Sequence, residues 1–324
     1  MEIGSFIGLD LRNTGEFHNS EKNIARLNSA RAGIYHACRI YGCNSIYIPY
    51  YLCPTVKEFL FKKAIKVQFY FINEKFEPVG LKPVNNSAVL LVNYFGIIPR
   101  DKMRKIASQY KNVILDNSAA FYTEPVEGCL NVYSPRKFFG VPDGCYVIGH
   151  NAGKFIQEYP VDSSSSTASF LMKSIEQGTS AVYKERMANE ERIDRSDILN
   201  MSKLTRTLLG NINYSEIKKI RGKNFNIAHK LYKKINKLDL ESLIDTDVIP
   251  MIYPLIIHDP DLDEKLRQKK IYVGRLWKSV LKEVVINKFE SRLSRYLIPI
   301  PVDQRYSAKE LSYVAEIIGK ILND

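Results

Sequence analysis

The stretch 112–150, NVILDNSAAFYTEPVEGCLNVYSPRKFFGVPDGCYVIGH, decides how the rest of the chain is read. Three short apolar runs are closed by turn residues. The first ends in a lone acid, Asp116. The second ends in Ser134-Pro-Arg-Lys137. Gly140-Val-Pro-Asp-Gly144 then leads into the third, from Cys145 to Ile148. Runs this short, bounded by Gly, Pro, Asn and Asp, predict buried strands. Proteins of the α/β class place their sites just beyond the carboxyl ends of such strands. The stretch therefore offers one carboxylate and one amine, each at a strand end, with a Gly-containing loop behind them.

On the N-terminal side, SIYIP (45–49), VQFYFI (67–72) and AVLLVNYFG (88–96) also read as strands. Helical patterns at 55–65 and about 99–110 separate them. Strand–helix–strand alternation implies right-handed crossovers and a largely parallel sheet, an α/β fold. Residues 27–42, LNSARAGIYHACRIYG, predict a helix capped by Asn28 or Ser29, with Ile34, Ala37, Cys38 and Tyr41 on one face. Its opening residues are small, so bare N–H groups can approach a phosphate there. Residues 1–26 read as an irregular lead-in, and 162–167 as a loop or helix entry. The pattern is helical and highly charged from about 170 to 237. It breaks at 210–214 and continues as one long amphipathic helix. From about Leu238 the character is mixed: a strand at 251–257, a helix at 263–271 and an apolar strand or edge at 295–302. A closing helix at 307–322 has Ser307 and Glu310 at capping-box spacing. The expected organisation is a large α/β domain over 1–237, including the long connecting helix, and a small C-terminal α/β subdomain over 238–324.

Composition narrows the class. The chain has 324 residues, 45% of them hydrophobic, which suffices for a large core. No run reaches the roughly 18 uninterrupted apolar residues of a membrane span. The start of the chain lacks the pattern of a signal peptide, so the default location is the cytoplasm. Five cysteines without paired spacing argue against a disulfide framework and a structural zinc site. The formal net charge of +12 is diffuse. Solvated lysine-rich helix faces explain it first, and anionic small-molecule substrates second. A nucleic-acid or membrane-surface protein is the reading from another class. No helix-turn-helix, RNA-recognition or zinc-finger signature supports it, so neither partner is expected.

A carboxylate and a lysine at strand ends match what pyridoxal 5'-phosphate (PLP) demands of a protein. The lysine amine attaches the aldehyde. The carboxylate keeps the pyridinium nitrogen protonated, so that the ring accepts electrons. The phosphate needs N–H donors and hydroxyls, and the ring needs a wall. Lys137 and Asp116 fill the first two roles. Ala30, Arg31 and Ser134 are candidates for the phosphate. Tyr50, Tyr51, Tyr94 and Phe95 are candidates for the wall.

In this order the segments resemble the DegT/StrS-type sugar nucleotide aminotransferases, fold-type I PLP-dependent enzymes. The resemblance rests on IGSFIGLDL (3–11), LNSARAGIYHAC (27–38), IYIPYYLCPTV (46–56), VLLVNYFG (89–96), VILDNSAAF (113–121), SPRKFFGVPDGCYV (134–147), Arg221-x-x-Asn224 and LIPIPVDQRYS (297–307), and so spans most of the chain. It implies a mainly parallel central sheet flanked by helices. Lys137 would be the Schiff-base lysine and proton shuttle, with Asp116 as pyridinium partner. Ala30, Arg31 and Ser134 would hold the phosphate, and Tyr51 and Cys53 would stand beside the ring. It further implies a homodimer that moves an amino group from an amino acid, glutamate first, to a keto-sugar nucleotide in surface polysaccharide or amino-sugar biosynthesis. The chain departs from the family pattern at four places. Ala119 stands where a Gln or His bonds the ring oxygen, Ala30 where a Gly is usual, Cys145 where a second Gly closes the turn, and Cys53 at the wall. The alternative is a PLP-binding relative with altered or lost transaminase chemistry, like the family's sugar dehydratases.

Overall fold

The computed structural model describes residues 4, 6–12, 14–19, 23–245 and 248–323. In chain order the large part contains β1 (Ile24–Leu27), α1 (Ala30–Tyr41), β2 (Ser45–Pro49), α2 (Pro54–Lys62), β3 (Lys66–Ile72), β4 (Pro78–Val79), β5 (Ser87–Val92), α3 (Arg100–Ala107), β6 (Val113–Asp116), β7 (Leu130–Tyr133) and β8 (Cys145–Ile148). Four helices follow: α4 (Ser169–Gln177), α5 (Tyr183–Arg195), α6 (Lys203–Leu209) and α7 (Tyr214–Tyr232). The remainder is β9 (Ile252–Ile256), α8 (Leu262–Gln268), α9 (Phe289–Tyr296), β10 (Leu297–Pro301) and α10 (Ala308–Asn323).

The sheet has eight strands in the order β1-β8-β7-β6-β5-β2-β3-β4. The pairs β7–β6, β6–β5, β5–β2 and β2–β3 are parallel. β8 runs antiparallel to both β1 and β7, and β4 antiparallel to β3. β2, β5, β6, β7 and β8 are buried along their whole length. Burial on both faces explains why they read as unbroken apolar runs rather than alternating ones.

Three elements differ from the sequence reading. The lead-in is not irregular throughout, because Ile24–Leu27 form β1, paired with β8 from Ile24↔Ile148 to Leu27↔Cys145. The apolar segment near residue 300 is strand only over Leu297–Pro301, because Arg295 and Tyr296 close α9. Asn93-Tyr-Phe-Gly96 leaves the strand for a tight 3-10 turn in which Phe95 has φ 58°. The two-stranded antiparallel sheet of β9 and β10 organises the C-terminal part. Its apolar residues Tyr253, Leu255, Ile298, Ile300 and Ile318 belong to the same continuous core as Ile34, Val89 and Ile114 of the large sheet. The closing helix is capped as its spacing predicts: the Glu310 carboxylate accepts the Ser307 N–H at 2.8 Å. Among the described residues no helix is long and apolar enough to cross a membrane.

Candidate active site

One edge of the sheet collects the candidate residues. β1, β2, β3, β5, β6 and β7 share one direction, so their carboxyl ends share that edge. Asp116 is the last residue of β6, in register with Val92 of β5 and Val132 of β7. Lys137 ends a short 3-10 turn, Pro135–Lys137, that leaves β7. Because β8 runs the other way, its first residue, Cys145, lies at the same edge. The carboxylate and the amine thus leave neighbouring strands on one side of the sheet.

Asp116 is buried. Its Oδ1 accepts the Ser118 N–H at 2.9 Å, which fixes the turn beyond the strand. Beside it, the Cys145 thiol is held protonated by burial first and by the Asp116 carboxylate second. The Ser118 hydroxyl is buried without a partner among the described residues. Ala119, also buried, follows it. Lys137 is exposed, and its amine makes no hydrogen bond or ion pair with the described residues. By contrast, Arg136 beside it is paired with Glu190.

The loop behind Lys137 is pinned from three sides. The Phe138 carbonyl accepts a hydrogen bond from Gln304 Nε2 at 2.9 Å. The fully buried Asp143 accepts the Ser202 N–H at 3.1 Å, the Ser202 hydroxyl at 2.6 Å and the Thr205 hydroxyl at 2.8 Å. Gly144, at φ 125°, donates its N–H to the Asn28 carbonyl at 2.8 Å. A Cβ there would come within 3.0 Å of Pro135 Cγ. The last bond ties the lysine loop to the entry of α1.

Ser29, not Asn28, caps α1, and its hydroxyl accepts the Ala32 N–H at 3.4 Å. Asn28 instead holds the chain from outside, donating to Ser196 Oγ at 2.9 Å and to the Asp197 carbonyl at 3.0 Å. Gly33 lets the helix lie directly on the sheet. A Cβ at that position would stand 2.6 Å from Cys145 Sγ, 3.0 Å from Val147 Cγ2 and 3.1 Å from Val132 Cγ1. The N–H groups of Ala30 and Arg31 open the helix without intrahelical acceptors, at the edge that carries Asp116.

Several candidates are placed differently from their assigned roles. The Arg31 guanidinium points to the end of α5, with Nη1 on Asp194 at 2.7 Å and Nη2 on the Ile193 carbonyl. What Arg31 leaves at the helix N-terminus is its backbone N–H. Tyr50 turns outward and stacks on Phe69 and Phe71, with centroids 4.9 and 4.6 Å away. Tyr51 is wholly buried against Tyr94 at 5.7 Å and Trp277 at 4.6 Å. Tyr94 donates to the Tyr51 carbonyl at 2.7 Å, and burial raises its phenol pKa strongly. Cys53 stands at the cap of α2, 3.2 Å from Thr55 Oγ1. Ser134 is buried at the start of the lysine turn.

Sequence reasoning missed two contributors. Trp277, the only tryptophan, packs on Tyr51 and Tyr94 from the C-terminal part. A lone Trp between charged segments was the available signal. Gln304 completes a chain from Arg221, whose Nε donates to Gln304 Oε1 at 3.1 Å. The Arg221 guanidinium also covers the Phe138 ring at 4.5 Å, and burial lowers its pKa to about 10. Asn224, three residues on, donates to the Asp303 and Tyr306 carbonyls at 3.1 and 2.9 Å. The Arg-x-x-Asn segment therefore clamps the β10–α10 turn to the residue after Lys137.

The donor set at this edge fits PLP. It comprises an amine without a partner among the described residues, a carboxylate with one oxygen engaged locally, the Ala30 and Arg31 N–H groups ahead of the one that Ser29 caps, and the buried hydroxyls of Ser118 and Ser134. No protein-family profile matches the sequence, and no curated protein matches it in sequence. Solved structures do match. The sugar aminotransferase of Micromonospora echinospora superposes with a TM-score of 0.64 at 13% identity, over 92% of this chain and 87% of that one. The aminotransferase PseC of Helicobacter pylori, of pseudoaminic acid biosynthesis, gives 0.63 at 14%, over 93% and 87%. NtdA of Bacillus subtilis, solved with bound pyridoxamine phosphate, gives 0.64 at 11%, over 94% and 74%. The chain has the α/β fold that these structures share.

Proposed function

We propose that the chain is a PLP-dependent aminotransferase. It takes the amino group from an amino acid, glutamate first, and transfers it to a keto-sugar nucleotide. The observation that carries this reading is the placement of Asp116 and Lys137 at the carboxyl ends of neighbouring parallel strands, beside the N-terminus of α1. The fold-sharing structures support it, since one is a sugar aminotransferase and another an aminotransferase of pseudoaminic acid biosynthesis. Residues 1–237 carry the site and 238–324 form the subdomain that closes on it. As in the family it resembles, a homodimer completes the assembly in the cytoplasm.

When bound, PLP supplies an electron sink and carries the amino group between donor and acceptor. The chain's own residues do the rest. The N–H groups of Ala30 and Arg31, with the Ser134 hydroxyl, bind the phosphate. Asp116 holds a proton on the pyridine nitrogen by its negative charge. Lys137 Nζ takes the α-proton of the amino donor in the first half-reaction. It returns a proton to the carbon that receives the amine in the second. The Gln304 and Asp143 contacts hold the backbone that presents it.

The test is covalent trapping. Protein incubated with PLP and reduced with borohydride should carry the cofactor's mass on the peptide containing Lys137. Lys137→Ala should carry none. No uptake, or a label spread over surface lysines and unchanged by that substitution, overturns the reading. A second reading, cofactor binding without transamination, is favoured by one observation: Tyr51 is covered by Trp277 and Tyr94 rather than open as a ring wall. It predicts trapping at Lys137 with no response to glutamate.

A further inference from the structure

A cavity of about 320 Å³ opens beside the carboxyl end of β3, in a place the proposed reaction does not use. β2, β5 and β6 separate β3 from β7 in the sheet. At about 4.8 Å per strand, cavity and lysine turn are roughly 19 Å apart across it. Glu74 lines the cavity from the turn after β3. Lys288, Ser291, Arg292 and Arg295 line it from the start and body of α9.

The lining carries more positive charge than it neutralises. Glu74 is taken by Arg292 Nη1 at 2.6 Å, and Arg292 Nη2 donates to the Lys237 carbonyl at 2.8 Å. The buried Glu290 does not line the cavity; its carboxylate accepts the Ile72 N–H at 2.6 Å and its own N–H. Arg295 has no ion pair among the described residues, and its Nε is buried without a partner. Lys288 rests 4.5 Å above the Phe71 ring, makes no ion pair among the described residues and feels the Glu290 carboxylate only at longer range. Ser291 is 1% exposed, and its hydroxyl has no partner among the described residues. Lys288, at the N-cap of α9, caps no N–H with its side chain; the Glu290 carboxylate takes the Glu290 N–H, which leaves the Phe289 and Ser291 N–H groups and the positive end of the helix dipole. Two cations without an ion pair among the described residues, a buried hydroxyl without a partner among them and two N–H groups of the α9 N-terminus, around one cavity, form the donor set of a phosphate dianion. The lining also has an aromatic part: Phe289, and the His258 and Tyr296 rings 5.1 Å apart.

The geometry points to a second ligand site here, one that takes a small organic phosphate. Lys288, Arg295, the Ser291 hydroxyl and the Phe289 and Ser291 N–H groups hold the phosphate, and the organic part lies along the aromatic lining. This inference is independent of the aminotransferase reading, because none of its residues belongs to that site.

The test is calorimetric titration of the full chain with uridine monophosphate and, separately, with inorganic phosphate. Uridine monophosphate should bind saturably, and at least tenfold more tightly than inorganic phosphate. Arg295→Ala and Lys288→Ala should each weaken it tenfold or more. Lys137→Ala should leave it unchanged. Arg295 has no partner to lose, so its variant should melt as the parent does, and Lys288→Ala provides the same readout independently. No saturable binding overturns the proposal, as does binding that survives both substitutions. Equal affinity for inorganic phosphate removes the organic ligand and overturns it as well.

Discussion

Asp116 carries a structural and a chemical demand in one side chain. Its Oδ1 holds the Ser118 N–H, while its charge serves the ring nitrogen in the proposed reaction. Asparagine keeps the first function and loses the second. Asp116→Asn should therefore cost no more than about 1.5 kcal/mol, the scale of one hydrogen bond, while transamination falls ~10²-fold or more. Denaturant melts and steady-state rates measure the two, and a parallel loss of both would contradict the division. His18 makes a different prediction. It is buried among Phe121, Tyr133 and Tyr146, and burial first, then Arg26, lowers its pKa from 6.5 to about 3. The unfolded chain binds this proton below about pH 6.5 and the folded protein does not. Its contribution is therefore complete above pH 6.5 and is lost as pH falls toward 3, with about 3 kcal/mol gone by pH 4. His18→Phe, which cannot titrate, should show a flatter decline in melting temperature between pH 6.5 and 4. An unchanged slope would remove His18 as the cause.

At the scale of elements, the contact of α1 with β8 sets where the proposed phosphate seat lies. Cys145 Sγ fills the space that Gly33 leaves, so the cysteine that opens β8 is matched by a glycine on the facing helix. Gly33→Ala should cost about 1–3 kcal/mol by overpacking and should weaken PLP uptake by displacing the helix N-terminus. Cys145→Ala in the same chain removes the nearest atom and should recover part of that loss. Denaturation of the two single variants and the double variant tests the coupling, and strictly additive effects would refute it. The elements also show what the sequence could reveal. VILD, SIYIP and AVLLV were legible because strands buried on both faces leave unbroken apolar runs. β1 was not, because four residues with Arg26 among them become a strand only by pairing with β8. α9 was hidden by its charge: Phe289, Leu293 and Tyr296 keep helical spacing, but the Pro-containing run after them reads as a strand. Asp116 and Lys137 were legible from strand ends alone. The diversion of Arg31 to Asp194 and the seating of Trp277 on Tyr51 were not, because both join segments far apart in sequence and no local pattern encodes them.

For the whole molecule, the continuous core makes the C-terminal part a structural partner of the site rather than an appendage. Arg221, Asn224 and Gln304 run from the long helix to the residue after Lys137, and Trp277 reaches Tyr51 just past the end of β2. A fold shared with the three solved structures at 11–14% identity says how the chain is built, and the proposed chemistry rests on Asp116 and Lys137. The visible spectrum of the PLP-loaded protein, recorded before and after glutamate is added, tests that chemistry most directly. The account predicts a yellow protein whose absorbance converts to the pyridoxamine form, with both the colour and the conversion lost in Lys137→Ala. A protein that stays colourless with added PLP, or a yellow one that glutamate leaves unchanged, would contradict it.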